Sequence, residues 1–586
     1  MSLSVDKLEV VPSLTSMLGV DKPVQYMAYI GGNTNTFKEV ISTSYSNSQV
    51  SFTCNPPSPN IITSRLALLK VPVTLTFNGT PAVGSGLLQS GFDAFRAFPL
   101  QSVINNLTVT LNNTKMTLES NEVIHEMMRY YGEEKELETL SMTPCYPDQS
   151  QEYVELASTL RNCLSQFGEK NSGVGFRGSY PYTSFNNPVN GTTATVSATL
   201  CEPLVISPLL FGGHAGKGFL HLQNMSVTIN FDSNLARMWS HASPTTDFPI
   251  VGASTISSIT VQIGKPSLLL QYVIPPATMS LPRQVDYDYQ DMEIYVNEAG
   301  ASYTHADGIK TINSSNIQLN VIPSHIMIYI KERKGDRTFN TTDAYMSIEN
   351  IDLSFGGVSG LLTGADKFAL YNMSRENGVN MAWSDWSGEA QYVASGSSLQ
   401  EKHGVGSLLV LKMAKDICLN DPSITVGTPG TYNLYAKVQF RNQNTQRAIH
   451  PALYIVPVYA GVLSMRDNQS IQSLAVLSQN DVLDASERAD EEGAIDASEY
   501  EGGKFWGDVS KYAQKALPYI RKARKLGQQV ASAIPTPQAQ AVKSALDVAE
   551  AVGLGKRGRR GGVPVGGVLV GGQKLSRADM RRALQL

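Results

Sequence analysis

A phosphate cradle of the Walker type would need a glycine, four residues, then Gly-Lys followed by Ser or Thr, so that backbone amides and the lysine hold phosphate while the hydroxyl holds magnesium. Gly216-Lys217 comes nearest, but Phe211 stands where the first glycine belongs and Gly218 where the hydroxyl belongs. The sequence contains no HExxH pair of zinc-binding histidines and no GxSxG nucleophile turn. Its eight histidines lie far apart, and each reads as a satisfied core or surface side chain and not as a ligand. Asp385, flanked by Trp383 and Trp386, has the composition of a carbohydrate platform, with packing the preferred reading because tryptophan is common in β-sandwich cores and interfaces. No catalytic, metal or cofactor site is expected.

The remaining chemistry is charge. The 586 residues carry a net charge of −4, which conceals two opposed segments. Residues 481–501 hold nine acidic side chains against Arg488, and residues 502–586 hold sixteen basic against four acidic. The acidic stretch reads as a solvated spacer. Beyond it, Trp506, Val509, Ala513, Leu517, Ile520 and Val530 share one helical face, with Lys511, Lys515, Arg521, Lys522, Arg524 and Lys525 largely opposite and Pro518 as a kink. A second helix is expected from Ala539 to Val552, and Lys556, Arg557, Arg559 and Arg560 follow among glycines. These positions suit contact with nucleic-acid phosphates without sequence readout, or with a membrane surface. A solvated helical extension packed on another copy is the plainer alternative.

The elements that would carry such a tail are legible as a repeat. Ser102 to Asn113 and Ser347 to Gly357 align with Asn106 on Asn350, which pairs Leu107 with Ile351, Val109 with Leu353 and Leu111 with Phe355. Apolar residues alternate with polar ones and stop at an Asn or Gly turn, the signature of a strand with one face in a core. A helix-like segment follows each copy, Glu122 to Arg129 and Asp366 to Met373. The unit is strand, turn and short helix, used twice. Earlier strands match too: Val73, Leu75 and Phe77 alternate after a proline-rich turn, as do Ile326, Ile328 and Ile330 after Pro323.

Hydrophobic residues at 42% are ample for two cores, while charged residues at 17% are well below an average globular chain. A surface rich in Asn, Ser, Thr and Gly favours assembly with copies of itself over free enzyme life. Cys54, Cys145, Cys163, Cys201 and Cys418 form no CxxC and are odd in number, so free thiols in a reducing compartment are expected. Neither a signal peptide nor an 18-residue apolar run is present, and sequons such as Asn78-Gly79-Thr80 read as ordinary turns. The domain expectation is an arm at 1–35, sandwiches at 36–245 and 246–468, an acidic linker at 469–503 and a basic helical tail at 504–586. The stretch from the first helix to residue 200 is expected to be a contact-making loop.

Asn55-Pro56-Pro57-Ser58-Pro59, Phe211-Gly212-Gly213 with Gln223-Asn224-Met225, the block 347–373, Trp383-Ser384-Asp385-Trp386-Ser387-Gly388, and Tyr432 to Phe440 leading into Leu453-Tyr454-Ile455 together resemble the double jelly-roll major capsid proteins of eukaryotic DNA viruses, especially the virophage, Polinton-like, adintovirus and adomavirus group. The resemblance covers roughly residues 50–465. It implies an all-β chain of two tandem jelly rolls. It further implies a homotrimer presenting six sandwiches as a pseudo-hexagonal capsomer, with neighbouring capsomers tiling an icosahedral shell around double-stranded DNA in the virion. Minor capsid or penton proteins are then partners, and the basic tail would face packaged DNA or an inner membrane. Related viruses also encode a cysteine protease whose sites resemble Leu569-Val570-Gly571-Gly572-Gln573. Leu210-Phe211-Gly212-Gly213-His214 matches too, inside a sandwich, and Tyr500-Glu501-Gly502-Gly503 has Tyr where an aliphatic residue is expected. The alternative function is a non-viral, carbohydrate-binding double sandwich, with an enzyme third.

Overall fold

A computed structural model describes residues 7–12, 25–30, 34–89, 93–131, 182–210, 218–241, 254–275, 281–389, 391–395, 398–402, 404–419, 424–445 and 447–474. Within them the chain builds two β-sandwiches of the same topology. In the first, one sheet runs Thr34–Ile41, Ser267–Ile274 (with Thr255–Ile263), Leu68–Thr80, Thr193–Pro203 and Tyr182–Asn186. The facing sheet runs Ser44–Tyr45, Gln49–Cys54, Met225–Phe231, Ile104–Leu111 and Thr114–Leu118. In the second sandwich, Gln284–Met292, Pro451–Arg466, His325–Glu332 and Leu408–Lys412 face Ile309–Asn313 with Ile317–Val321, Pro429–Arg441, Ser347–Phe355 and Val358–Leu361. Numbering the strand positions one to eight along each half gives the orders 1-8-3-6 and 2-7-4-5 in both. All these pairings are antiparallel, which makes each half a jelly roll.

The repeat seen in the sequence is the fourth and fifth strands with the helix that follows. Leu107, Val109 and Leu111 point into the first core and pair with Ile229, Val227 and Met225. Ile351, Leu353 and Phe355 do the same in the second, against Val438, Ala436 and Leu434. Two residues turn each hairpin, and Asn112 (φ 53°) and Gly356 (φ 57°) take the same left-handed conformation at equivalent positions. Asn112 tolerates that backbone because its side chain is engaged: Oδ1 accepts from the Gln223 and Asn224 amides at 2.8 and 3.2 Å. Helix α1 (Ser120–Tyr131) follows the first hairpin and α2 (Lys367–Glu376) the second, α2 being capped by Asp366, which accepts from the Ala369 amide at 2.7 Å. A one-turn helix, α3 (Trp383–Ser387), comes next.

The border between the halves lies later than residue 245. Thr255–Ile263 and Ser267–Ile274 hydrogen-bond to Leu68–Thr80 and Thr34–Ile41, so they fill the eighth position of the first jelly roll. Met225–Phe231, the last clean alternating run, is the seventh strand and not the closing one. A bulge between Ile256 and Ser258 explains the error, because apolar residues then fall at 256, 259, 261 and 263 and period-2 alternation is broken. The far end also moves: Gln469–Ser473 pairs with Pro451–Arg466, extending the second sheet past 468. At the start, Lys7–Pro12 and Gln25–Ile30 pair as a two-stranded ribbon inside the expected arm. The acidic linker beyond residue 474, the tail, and most of the expected contact-making loop (132–181) lie outside the described residues.

The second sandwich has its own core, from Ile312 and Ile326 to Phe440 and Ile455. The first core is larger, because Ile124, Met127 and Met128 of α1 continue into Met327, Tyr329, Tyr454, Val456 and Val458 on the outer face of the second sandwich's sheet. His325–Glu332 is therefore buried on both faces. The two sandwiches share a buried seam.

Candidate functional site

Helix α1 carries Glu122, His125, Glu126 and Arg129 at the i, i+3, i+4 and i+7 spacing that places them on one face. Val123, Ile124, Met127 and Met128 share the remaining surface, and all eight residues are buried. The apolar side serves the first core. The charged side meets the second sandwich, and the two halves complete each other there.

One node centres on Asp343, from the loop after His325–Glu332. Arg96 of the first sandwich donates through Nη1 to Asp343 Oδ2 at 2.6 Å, and Arg237 donates through Nη2 to Oδ1. Arg96 also donates through Nε to the Arg237 carbonyl at 2.8 Å and through Nη2 to the Thr341 carbonyl at 3.0 Å. Burial alone would raise the Asp343 pKa, but Arg237 and Arg96 overcome it and hold the carboxyl well below the usual range. His125 Nε2 lies 3.6 Å from the same carboxylate, and burial pushes its pKa down.

A second node reverses the roles, with acid from the first sandwich and base from the second. Arg337 Nη1 donates to Glu122 Oε2 at 2.9 Å, and Lys334 Nζ lies 3.5 Å from Oε1. Lys331 Nζ donates to the Glu122 carbonyl at 2.6 Å and to Glu126 Oε1 at 3.2 Å, above the rings of Tyr329 and Tyr454 at 5.1 and 4.9 Å. Those rings stack at 5.1 Å and 6°. Arg129 sits 4.5 Å over the Tyr345 ring. Burial opposes ionisation of Glu122, yet Arg337, then Lys331 and Lys334, bring its pKa down from 4.5 to about 2.

This arrangement makes a joint, because each half alone would bury or expose unpaired charges that the other half neutralises. Among the described residues, the cavity lined by Glu332, Tyr345, Asn442 and Arg447 at its margin has a volume of about 10 Å³, a single water at most. Acid should loosen the joint. A carboxyl held at about 2 in the folded state and near its ordinary value in the unfolded chain contributes its full stabilisation above pH ~4.5 and loses it as pH falls toward 2. For Glu122 this amounts to about 3 kcal/mol. Urea unfolding at pH 6, 4 and 3 checks it, with the midpoint falling below pH 4.5; a flat profile would mean that Glu122 is not held by cations.

The residues singled out in the sequence fall elsewhere. Trp386 is fully buried and donates Nε1–H to the Leu408 carbonyl at 2.7 Å. Trp383 stacks on it at 6.1 Å and meets Phe368 and Tyr371 edge-on, while the Asp385 carbonyl accepts from the Val405 and Gly406 amides. These aromatics pack on the second sandwich, Trp386 inside its core and Trp383 partly buried against it. The described histidines have protein partners, as His241 with Asp93 at 2.9 Å and His305 with the Asn442 carbonyl at 2.8 Å. The tail residues Lys511 to Lys525 and Lys556 to Arg560, and the cleavage candidate Leu569 to Gln573, lie outside the described residues. The seam itself was missed. Its available signal was the divergence between the two helix copies, where Glu122, Glu126 and Arg129 correspond to Asp366, Leu370 and Met373.

Residues 9–273 match the family profile of the Sputnik virophage major capsid protein first domain, and residues 292–461 match that of the major capsid protein V20 C-terminal domain. The chain is 30% identical to capsid protein V20 of Sputnik virophage over the full length of both. Its fold superposes on the chain in the cryo-EM structure of Sputnik virophage with a TM-score of 0.71, at 29% identity, covering 87% of this chain and 99% of that one. The crystal structure of the mavirus major capsid protein gives a TM-score of 0.63 at 17% identity, covering 76% and 92%, a likeness of fold. Two jelly rolls of one topology, a sealed seam between them and full-length relatedness lead to one conclusion: the chain belongs to the family of virophage major capsid proteins.

Proposed function

We propose that this chain is the tile of an icosahedral virion shell enclosing double-stranded DNA, that three copies form a capsomer with six sandwiches in a pseudo-hexagonal ring, and that it performs no catalysis. The observation that carries this reading is the seam: two sandwiches of identical strand order are locked at a fixed relation by buried, mutually completed charges, so each chain supplies a rigid pair of nearly equivalent units. Ring closure by repetition of such a step needs only copies of the same chain. Minor or penton proteins are the expected partners at vertices, and the basic tail lies inside, against DNA or a membrane.

Mass measurement in solution with negative-stain imaging tests the assembly. Trimers of the 63.6 kDa chain with hexagonal outlines, or shells built from them, are expected, and compact monomers would overturn the reading. Intact mass of protein from purified particles reads the tail: trimming after Gly572 by a cysteine protease shortens the chain, and a full-length species rules it out.

A further inference from the structure

The closing strand of the second sandwich outruns its neighbour in its own sheet. It pairs with His325–Glu332 only as far as Val458, then continues extended to Arg466, and Leu463 and Met465 of that extension are fully buried in the first core and not the second. Asp467 and Asn468 (φ 49° and 65°) turn the chain in two residues, and Gln469–Ser473 runs back along Val462–Arg466, its one partner strand among the described residues. Ser470 of this returning strand is 1% exposed, and it grips the hairpin turn of the first sandwich. Its amide donates to Asn113 Oδ1 at 2.9 Å, its hydroxyl donates to the Leu111 carbonyl at 2.6 Å, and its carbonyl accepts from the Thr114 hydroxyl at 3.0 Å. In the repeat, Gly357 corresponds to Asn113 and offers no side chain, so this grip belongs to the first half alone. Every group in it is neutral, so the acid that loosens the charged nodes leaves it in place.

We infer that Gln469–Ser473 is a latch: closed, it fastens the root of the C-terminal segment to the first sandwich, and it opens as a unit without opening either sandwich. The strand is short and has one neighbour, and Gln469, Ile471 and Ser473 face outward and give up no core contact on leaving. Its hold is concentrated in one buried serine, whereas Leu463 and Met465 anchor the strand before it. The closed position also needs a close approach, because a Cβ on Gly461 would meet the Ser473 carbonyl at 2.4 Å and Leu474 Cδ2 at 2.9 Å. Opening frees the chain from Arg466 onward and lengthens the reach of everything that follows. Its use rests on the shell reading above, in which the latch decides whether the tail starts from a fixed point; the latch itself is a property of one chain.

Amide exchange and limited trypsin digestion of the full chain test it, with two kinds of variant. Gly461→Ala wedges the strand off sterically, and Asn113→Ala with Ser470→Ala deletes the grip. In each, exchange protection of residues 467–474 should fall roughly tenfold or more, and cleavage after the exposed Arg466 should speed up by the same factor. Protection of Ile104–Leu111 and His325–Glu332, and the thermal midpoint, should stay near those of the parent. Parent residues 467–474 that exchange as fast as an unfolded chain, variants that protect them as the parent does, or a loss shared by Ile104–Leu111 would each overturn the latch. None of these readouts depends on assembly, so a chain that proves monomeric would overturn the shell reading and leave the latch standing.

Discussion

Replacing Asp343 with alanine should remove about 3–5 kcal/mol from the stability of the folded chain. The loss is large because of what stays behind. Arg96 is fully buried and Arg237 is 7% exposed, so deleting the carboxylate that both contact leaves two guanidinium groups that solvent cannot reach. Among their other contacts are the Thr338 and Thr341 carbonyls, the Thr341 hydroxyl and, for Arg96, the Arg237 carbonyl, which satisfy N–H geometry but carry no charge. Urea unfolding measures the loss. Combining Asp343→Leu with Arg96→Met and Arg237→Met should cost much less than the single change, since buried ion clusters exchanged for apolar groups of similar volume are often neutral. A single substitution costing under about 1 kcal/mol would mean that water reaches the guanidinium groups and that the seam is not closed.

Trp386→Ala should cost about 3–5 kcal/mol, and somewhat more if the Leu408 carbonyl it leaves is not rehydrated. The indole is fully buried, lies against Trp383 and Tyr371, and bridges α3 to Leu408–Lys412 through its N–H. Trp386→Phe keeps most of the volume and should lose roughly half as much, while still forfeiting the hydrogen bond. Thermal unfolding separates this role from the carbohydrate-platform alternative, because truncating an exposed surface side chain changes stability by only about 0.5 kcal/mol.

The repeat was legible because strand alternation and helix spacing are local properties. Leu107 to Leu111 and Ile351 to Phe355 show their buried face whatever lies opposite, and a left-handed turn residue marks where each hairpin ends. Reading failed where a local irregularity hid the period, as at the bulge that displaced Ile259 and moved the border past Ile274. It also failed where a residue's meaning depends on a distant partner. In sequence, Glu122 and Glu126 on α1 look like a solvated helix face, and only the approach of Lys331 and Arg337, some two hundred residues away, turns that face into a joint.

By itself the sequence determined that this chain is a doubled β-protein with strand, turn and helix in register, because period and turn chemistry act over a few residues. Only the tertiary structure decided which strand closes the first jelly roll, that Trp386 is core with Trp383 packed against it, and that buried charge couples the two halves. Those outcomes depend on burial and through-space electrostatics between segments that chain distance does not relate.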